Sequence, residues 1–530
     1  MQPLPMITRL SVVGIAVLFA VTACTSSKPR ATPTTTAATG ATTSSSSASP
    51  SRTSAPIAVS INFSDCTNQF QAAIDNAKAK KMVFSCGKLP VPLDYSQPDG
   101  KTVQVFVVKV HSKSQRPADK LGSLLVNPGG PGGSGVNLAA GLVGALSDSI
   151  FAHFDLIGFD PRGVGLSQPL QCISGKEKDQ LAAADPDPRT VAGRATAKAS
   201  ADAVVKGCVS TYGPDLAHYN TEETARDMDL IRQAVGDNKL NYLGFSYGTR
   251  LGAVYAHEFP THIRAAVLDG AVDPVADDLT TAERQTKAFE GAFDQFAADC
   301  LKRPACAVLG NPRSVVEQLI TAADKTPIKS SKKGETRQAT GGIVTIGVVS
   351  ALYDQSQWAT LGNALISARH GDAAGLFALS DSYLERDPQT GQYTNVMDAN
   401  LAVNCNDSRL KVTDALVTKT AASWVAKYPI FGKNAAASLY ACDSWPASGH
   451  PLPPATASGA PPIVVIGTVH DPATPYAAAG VLAKTLGSGV LLSWDGEGHT
   501  AYPKTSCIQT KVDDYLISDK PPTDHSCPRS

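Results

Sequence analysis

Apolar residues along this chain fall into two patterns that predict two kinds of element. Short continuous apolar runs, typical of strands buried on both faces, alternate with longer stretches in which apolar residues recur every three or four positions. The runs lie at 121–126, 154–159, 241–245, 263–268, 462–467 and 490–494. Their alternation with helices predicts an α/β fold, with a mostly parallel central sheet covered by helices on both faces.

Two regions depart from this alternation. Residues 91–95 and 102–110 are predicted as opening strands, and the second is interpreted as an edge strand because its apolar residues alternate only in part. From 271 to 400 the strand signal thins. Helices are predicted there at 282–296, 315–324, 346–353 and 359–369. We interpret 61–270 and 401–530 as two parts of one core and 271–400 as an inserted, mainly helical lid.

The amino terminus is predicted to be a targeting segment. Arg9 precedes an apolar run at 10–20, which is too short to span a membrane but suits a signal peptide. Residues 21–24, Val-Thr-Ala-Cys, resemble the lipobox of bacterial lipoproteins, which implies cleavage after residue 23 and lipidation of Cys24. The alternative is an ordinary secretory signal with a coincidental cysteine. Both predict export, and the lipobox adds an anchor on the outer face of the cell membrane.

Composition supports export and excludes some partners. Residues 24–60, rich in Ser, Thr, Ala and Pro, are predicted to form a disordered tether. Lys+Arg and Asp+Glu number 47 each, so charge gives no reason to expect a nucleic-acid partner. Eleven cysteines leave ten once Cys24 is set aside, an even number that suits an oxidising compartment. Pairing neighbours gives Cys66–Cys86, Cys172–Cys208, Cys300–Cys306, Cys405–Cys442 and Cys507–Cys527, of which only the third is favoured by proximity.

Ser246 is the predicted nucleophile. It lies in Gly244-Phe245-Ser246-Tyr247-Gly248, between a predicted strand and a predicted helix, which is the Gly-x-Ser-x-Gly nucleophile elbow. The sharp turn at such a serine requires small neighbours. A five-residue pattern also occurs by chance in a chain with 43 glycines, so the assignment depends on finding partners for the serine.

Two later strands end in the partners that a serine needs. Asp471 follows the strand at 462–467 and His499 follows the strand at 490–494, which gives the chain order Ser, Asp, His of an α/β hydrolase. His470 is a rival base, although it adjoins the aspartate. Asp495 and Glu497 are rival acids, although both are very close to His499 in sequence.

Two loops at earlier strand ends carry further signals. The glycine-rich loop 127–135 lacks the Lys-Ser/Thr ending of a phosphate-binding loop, and it suits a loop that directs backbone N–H groups at a developing oxyanion. The Asp160-Pro161-Arg162-Gly163 turn lies where ligands of open α/β sheets gather. We favour a structural turn with a buried Asp–Arg pair over a ligand site there.

The motifs together resemble a known family. The chain is similar, over about residues 60–525, to the secreted tripeptidyl-aminopeptidase-like serine peptidases of the α/β-hydrolase superfamily, relatives of proline iminopeptidase. One departure is Asn127, where proline iminopeptidases carry histidine. The motifs that carry the resemblance are Val91–Tyr95, Asn127–Gly132, Asp160–Gly165, Gly244–Thr249, Leu268–Gly270, His470–Pro475 and Gly498–Thr500.

The resemblance implies a two-step acyl transfer that needs no cofactor or metal. Backbone N–H groups of Tyr247 and Gly130 would stabilise the oxyanion, with Gly129 as the competing second donor, and Thr474 would support Asp471. An aminopeptidase also needs carboxylates for the substrate ammonium group. Sequence leaves four candidates open, which are Glu283, Glu290, Asp407 and Asp443.

The predicted function is an exported serine hydrolase that cleaves peptide bonds in a peptide or protein substrate, most simply as an aminopeptidase. An esterase or lipase would use the same three residues. The lid's modest aromatic content argues against a lipid funnel. A non-enzymatic binding module would lack one of the three, and none is missing. Sequence leaves the substrate preference and the oligomeric state open.

Overall fold

The computed structural model describes residues 59–70, 79–408, 410, 412–446 and 452–529. The predicted signal peptide, Cys24 and the tether up to residue 58 lie outside the described residues. Among the helices of the described part, none has the length and apolar character needed to cross a membrane.

In the part of the chain that the structure describes, ten strands form one sheet, in the order β1-β2-β3-β5-β4-β6-β7-β8-β9-β10. Pairs β1–β2, β2–β3 and β3–β5 are antiparallel, and the other neighbours are parallel. The predicted α/β fold is therefore confirmed. The strands are β1 Ser64–Asp65, β2 Met82–Pro92, β3 Thr102–Ser112, β4 Gly122–Asn127, β5 Phe154–Phe159, β6 Leu240–Phe245, β7 Ile263–Asp269, β8 Ile463–His470, β9 Gly489–Glu497 and β10 Ser526–Cys527.

Helices cover both faces of the sheet. Before β8 outside the insertion they are α1 Gly135–Leu142, α2 Asp148–His153, α3 Gly175–Ala183, α4 Val191–Tyr212, α5 Thr221–Ala234 and α6 Tyr247–Glu258. Between β7 and β8 lie α7 Asp278–Lys302, α8 Pro304–Ala307, α9 Pro312–Lys325, α10 Gly341–Leu352, α11 Trp358–Arg369, α12 Ala374–Tyr383, α13 Val396–Asp407, α14 Asp414–Lys427 and α15 Gly432–Ala437. The last two are α16 Ala477–Leu486 and α17 Ser506–Ser518.

The interpretation of residues 102–110 as an edge strand is wrong. Strand β3 lies inside the sheet between β2 and β5. The buried residues change face along the strand, because Val103, Val105 and Val107 are buried on one face and Val108 and Val110 on the other. Each face is therefore covered over only part of the strand, and a partial alternation of this kind does not show that a strand lies at an edge.

The helices between β7 and β8 have an apolar core of their own. Aromatic side chains of α7 pack there against α11, as Phe296 does on Trp358 with ring centroids 6.2 Å apart. The predicted end of the lid, residue 400, falls inside α13. Leu401 and Ala402 of that helix belong to the core of the main sheet, so α13 lies between the two cores.

All five predicted disulfides are present in the structure. They join Cys66–Cys86, Cys172–Cys208, Cys300–Cys306, Cys405–Cys442 and Cys507–Cys527. The fourth ties the end of α13 to the segment that leads back to β8, so it fixes the return of the insertion to the sheet.

The buried Asp–Arg pair predicted for the turn after β5 forms with a different aspartate. Arg162 is fully buried and contacts Asp227 of α5 through Nε at 2.8 Å and through Nη2 at 2.7 Å. Asp160 instead accepts bonds from Ser134 Oγ at 2.5 Å and from the Leu166 amide at 2.8 Å. Asp160 is satisfied by Ser134 of the glycine-rich loop and by Leu166 of its own turn, which leaves Arg162 to pair with the facing helix.

Candidate active site

The elbow at Ser246 has the backbone strain that its sequence predicts. Ser246 adopts φ 55° and ψ −123°, and its amide donates to the Asp269 carbonyl of β7 at 2.8 Å. A Cβ on Gly244 would lie 2.5 Å from the Gly248 carbonyl oxygen, and a Cβ on Gly248 would lie 2.9 Å from Asn127 Oδ1. Both glycines are therefore required by close approach of backbone, which is the structural reason for the motif.

Asp471 and His499 meet at the ends of β8 and β9. His499 Nδ1 lies 2.9 Å from both carboxylate oxygens of Asp471. The same carboxylate accepts bonds from the Ala473, Thr474 and Thr500 amides and from the Thr474 hydroxyl, at 2.8–3.1 Å. Burial raises the pKa of Asp471, but the His499 charge and these hydrogen bonds outweigh it and lower the pKa overall.

The other ring nitrogen of His499 is buried and has no hydrogen-bond partner among the described residues. Because Nδ1 is committed to Asp471, Nε2 is the atom left to act on a substrate or a nucleophile. Ser246 and Thr474 line one cavity of about 100 Å³, and Thr474 Oγ1 is 3.3 Å from His499 Nδ1. The structure thus brings the predicted acid and base together, and Thr474, which contacts both, connects them to the cavity that Ser246 lines.

The glycine-rich loop packs directly against the elbow. A Cβ on Gly129 would lie 2.4 Å from the Phe245 carbonyl oxygen and 2.9 Å from the Tyr247 amide nitrogen. The Gly129 amide donates to Asn127 Oδ1 at 2.9 Å, so it is occupied. Gly130 lines the cavity together with Ser246 and Tyr247. Of the two amides that sequence left open, that of Gly130 is therefore the better placed.

Tyr247 joins the elbow to the helical insertion. Its hydroxyl lies 2.5 Å from Thr221 Oγ1, which donates to Asp407 Oδ2 at 2.5 Å. The Thr221 amide also donates to Asp407, at 3.1 Å. Burial raises the pKa of Asp407 to about 6. The residue after the nucleophile is thereby fixed by α5 and by the end of α13.

The rival acid–base residues lie away from this arrangement. His470 Nε2 is 4.0 Å from Glu497, and Glu497 accepts a bond from Arg529 at 2.8 Å. Asp495 is 3.7 Å from the same arginine and its side chain is 56% exposed. His499 is only 4% exposed. The acids next to His499 in sequence are thus engaged with Arg529, while the remote Asp471 contacts the imidazole.

Three residues of the insertion support the site through hydrogen bonds, and sequence analysis missed all three. The His499 amide donates to the Tyr353 carbonyl at 2.8 Å, and the two rings meet edge to face with centroids 5.3 Å apart. Gln285 donates to the Ala473 carbonyl at 2.7 Å, and Asn400 donates to the Pro131 carbonyl at 2.9 Å. No local motif marks these residues, because each acts on a loop that is remote in sequence.

Three of the four candidate ammonium ligands are engaged elsewhere. Glu283 binds Lys427 at 2.9 Å, and Asp443 lies 3.2 Å from Lys198. Glu290 binds Arg313 at 2.5 Å and also accepts from the Ile430 amide at 2.7 Å. Asp407, which accepts bonds from Thr221, lines the cavity that adjoins that of Ser246.

One cluster could offer metal-type ligands, at Asp94, His218 and Glu223, whose ligand atoms lie within 4.8 Å of one another. Two guanidinium groups approach the same glutamate, Arg162 at 3.7 Å and Arg226 at 3.8 Å. Cations already present at this distance oppose the binding of another, so these residues do not suit a metal ion.

Comparison with known proteins agrees with this geometry. Residues 122–504 match the family model described as the alpha/beta hydrolase fold. Serine protease Hip1 of Mycobacterium tuberculosis is 39% identical over 460 residues, which cover 83% of this chain and 87% of that protein. Carboxylesterase B of the same species is 38% identical, with 83% and 86% covered. Tripeptidyl aminopeptidase of Streptomyces lividans is 32% identical, with 82% of each chain covered. By sheet topology, site geometry and sequence, the chain belongs to the α/β-hydrolase family.

Proposed function

We propose that the protein is an exported serine peptidase that releases peptides from the amino termini of its substrates through an acyl-enzyme. The observation that carries the proposal is the buried contact of His499 with Asp471, which leaves Nε2 without a hydrogen-bond partner among the described residues. Thr474, which contacts the same imidazole, lines the cavity of Ser246. Relatives named as a serine protease and as a tripeptidyl aminopeptidase, 39% and 32% identical, support peptides as the substrate class.

The proposed reaction begins at Ser246. His499 Nε2 takes the hydroxyl proton while Oγ attacks the peptide carbonyl carbon, and Asp471 holds the imidazole and stabilises its cation. The tetrahedral intermediate collapses when His499 returns the proton to the leaving amine. Water then attacks the acyl-enzyme by the same route in reverse, releasing the acyl peptide and regenerating the serine.

Amides of Gly130 and Tyr247 are proposed to stabilise the oxyanion. Both line the cavity with Ser246, and the Gly129 amide is already committed to Asn127. Loss of one such donor raises the barrier by about 3 kcal/mol in comparable sites. The amide of Tyr247 is at the first turn of α6, where the helix dipole adds to its effect.

A fluorophosphonate probe tests the nucleophile. The wild-type protein should be labelled, Ser246→Ala should not, and the matched control Ser210→Ala, an exposed serine of α4, should be labelled as the wild type is. Labelling that persists in Ser246→Ala would refute the assignment. A wild-type protein that takes no label would instead favour a binding module on a hydrolase scaffold.

An esterase is the second candidate function, because carboxylesterase B is 38% identical to this chain. Short peptide p-nitroanilides and short- and long-chain p-nitrophenyl esters separate the two. A peptidase of this type hydrolyses short esters as well as amides, since esters are the easier substrates. Turnover of esters together with no turnover of any peptide amide would overturn the peptidase proposal.

Export and anchoring rest on the segment around Cys24. A lipidated Cys24 would keep the protein in the membrane fraction, and Cys24→Ser should move it to the soluble extracytoplasmic fraction. Ser26→Ala, two residues away, is the matched control and should stay with the membrane. Retention of Cys24→Ser in the membrane fraction would argue against the lipid anchor.

A further inference from the structure

A second cavity adjoins the one that Ser246 lines. Its volume is about 280 Å³. It shares Arg250, Val272, Asp273, Thr281 and Asn404 with the cavity of the nucleophile. The two cavities therefore adjoin, so part of a substrate bound at Ser246 would lie next to the second cavity.

The charges that line this second cavity do not balance. Among its described lining residues, Asp273, Asp278 and Asp407 are acidic and Arg250 is the one basic residue. Asp273 is already paired with Arg284, at 2.7 Å. That leaves two carboxylates facing one guanidinium, and thus a surplus negative charge beside the path of the substrate.

The electrostatics of the two carboxylates agree with an incompletely compensated site. Burial raises the pKa of Asp278 to about 7, with Arg250 opposing it and with Asp277 and Asp407 adding to it. Burial raises the pKa of Asp407 to about 6, with Thr221 and Arg250 opposing it. A further cation placed between the two carboxylates would stabilise both ionised forms.

We propose that Asp278 and Asp407 bind the α-ammonium group of the substrate, with Arg250 offsetting one of their two charges while the site is empty. This inference rests on the proposed peptidase function and assigns its specificity. A primary ammonium group carries the one positive charge that the site lacks, together with three N–H donors for carboxylate oxygens. An acetylated amino terminus carries neither the charge nor three donors.

Helix α6 gives the length of the substrate portion that fits. Arg250 lies four residues and Val254 eight residues after Ser246, and both line the second cavity. At about 1.5 Å per residue, they lie about 6 Å and 12 Å along the helix from the nucleophile. An extended peptide advances about 3.3 Å per residue, so the ammonium group would lie two to four residues from the scissile bond.

The test compares Ala-Ala-Ala-p-nitroanilide with its N-acetylated form, by kcat/KM. Wild-type protein should prefer the free amine by at least about tenfold, the range expected when a buried charge pair is lost on binding. Asp278→Asn should lose most of that preference through the free substrate, while its kcat/KM for the acetylated substrate changes less than about twofold. Asp407→Asn should also lose most of the preference, measured as the ratio of the two kcat/KM values. Glu283→Gln is the matched control, because Glu283 is an acidic residue of the same helix that pairs with Lys427 and lines neither cavity.

Asp407 also accepts a hydrogen bond from Thr221, so Asp407→Asn can disturb the elbow. Asp278 makes none of the bonds described above between Asp407, Thr221 and Tyr247. Asp278→Lys adds a charge-reversal readout and should favour a succinylated over a free amino terminus. Equal rates of wild type on free and acetylated peptides, or an unchanged preference in Asp278→Asn, would overturn the subsite. Failure of wild type on both peptides, with turnover of esters, would instead overturn the peptidase function.

Discussion

Two walls of the cleft around Ser246 are built in different ways. One consists of loops at the ends of β4, β6, β8 and β9, and the other consists of α7, α13 and the Tyr353 segment of the insertion. On the strand side, polar groups are buried and held by backbone amides, as Asp471 is by three of them. On the helical side, ion pairs with exposed partners dominate, such as Arg284, which is 52% exposed.

The difference follows from what each wall is proposed to do. Groups that stabilise a transition state must be fixed before the reaction, and neighbouring parallel strands fix them through a shared sheet edge. Groups that bind a variable peptide gain from side chains that can adjust. We therefore expect substitutions on the strand wall to lower turnover on all substrates, and substitutions on the helical wall to change which substrates are preferred.

The largest effect is expected at Asp471. Asp471→Asn keeps the shape of the side chain but removes the charge that stabilises the imidazolium and fixes its tautomer. We expect kcat to fall about 10⁴-fold on peptides and esters alike. Steady-state kinetics on one peptide and one ester substrate measures this fall in kcat.

Asp495→Asn is the matched control for this prediction. Asp495 is closer to His499 in sequence, but it is exposed and faces Arg529. Its turnover should stay within about twofold of wild type. A larger loss in Asp495→Asn than in Asp471→Asn would show that the acid has been assigned to the wrong residue.

Gly129 tests whether the oxyanion loop depends on close approach to the elbow. Gly129→Ala places a Cβ 2.4 Å from the Phe245 carbonyl oxygen, at a residue with φ 89°. The loop must then move away from Ser246, so we expect kcat to fall about 10²- to 10³-fold, the effect of losing one oxyanion donor.

Gly236→Ala is the matched control, because it introduces similar backbone strain without displacing a neighbouring group. Gly236 has a similar φ of 86°, but an added Cβ meets nothing within 4 Å. It should cost about 1–3 kcal/mol in the free energy of unfolding and leave kcat unchanged. If both variants lost activity to the same extent, backbone strain would explain the loss and the packing of the loop on the elbow would not.

Sequence predicted the strand wall far better than the helical wall. The elbow, the glycine-rich loop, Asp471 and His499 each follow an apolar run, and a parallel sheet brings the ends of its strands together. The order of strands was the missing part. Pattern alone could not show that β4 lies between β5 and β6, and it led to the wrong assignment of β3 to an edge.

Few sequence patterns mark the residues of the helical wall, because their contacts join segments that are far apart in the chain. Asn400 and Pro131 are 269 residues apart, and Gln285 and Ala473 are 188 apart. From the sequence alone, Asp278 is an acidic residue in the first turn of a helix, where such residues are common. The fold makes it part of a cavity wall by placing it around the same cavity as Asp407 of α13.

Asn400 tests whether the helical wall also affects turnover. Its side chain is fully buried and donates to Pro131 in the oxyanion loop at 2.9 Å. Asn400→Ala leaves that carbonyl without this donor, which costs about 1–3 kcal/mol in the free energy of unfolding. We expect kcat to fall about tenfold as the loop loosens.

Asn406→Ala is the matched control on the same helix. Asn406 is similarly buried and donates to Leu216 and Tyr219 carbonyls, away from the oxyanion loop. Thermal unfolding should report a similar loss of stability in both variants, while kcat falls only in Asn400→Ala. An equal fall in both would mean that stability alone, and not support of the loop, limits turnover.

The smallest predicted effect is the pH dependence of the preference for a free amino terminus. Because kcat/KM reports the free enzyme, the pKa values that matter are those of the empty site, about 7 for Asp278 and about 6 for Asp407. Both carboxyls are protonated at low pH and ionise as pH rises. The charged groups that face them are Arg250 from α6, Asp277 from α7 and Glu222 from α5.

We expect the ratio of kcat/KM for free over acetylated tripeptide p-nitroanilide to rise about fivefold between pH 6 and 7.5. Above about pH 8 it should fall, as the substrate amine itself loses its proton. Titration of the catalytic groups affects both substrates and cancels in the ratio. Asp278→Asn should flatten the rise, since the carboxyl with the higher pKa is gone. A ratio that instead fell between pH 6 and 7.5 would show that the free amino terminus is preferred when the carboxyls of the helical wall are protonated. Both walls would then bind the substrate through hydrogen bonds, and the contrast between a fixed wall and a charged wall would no longer hold.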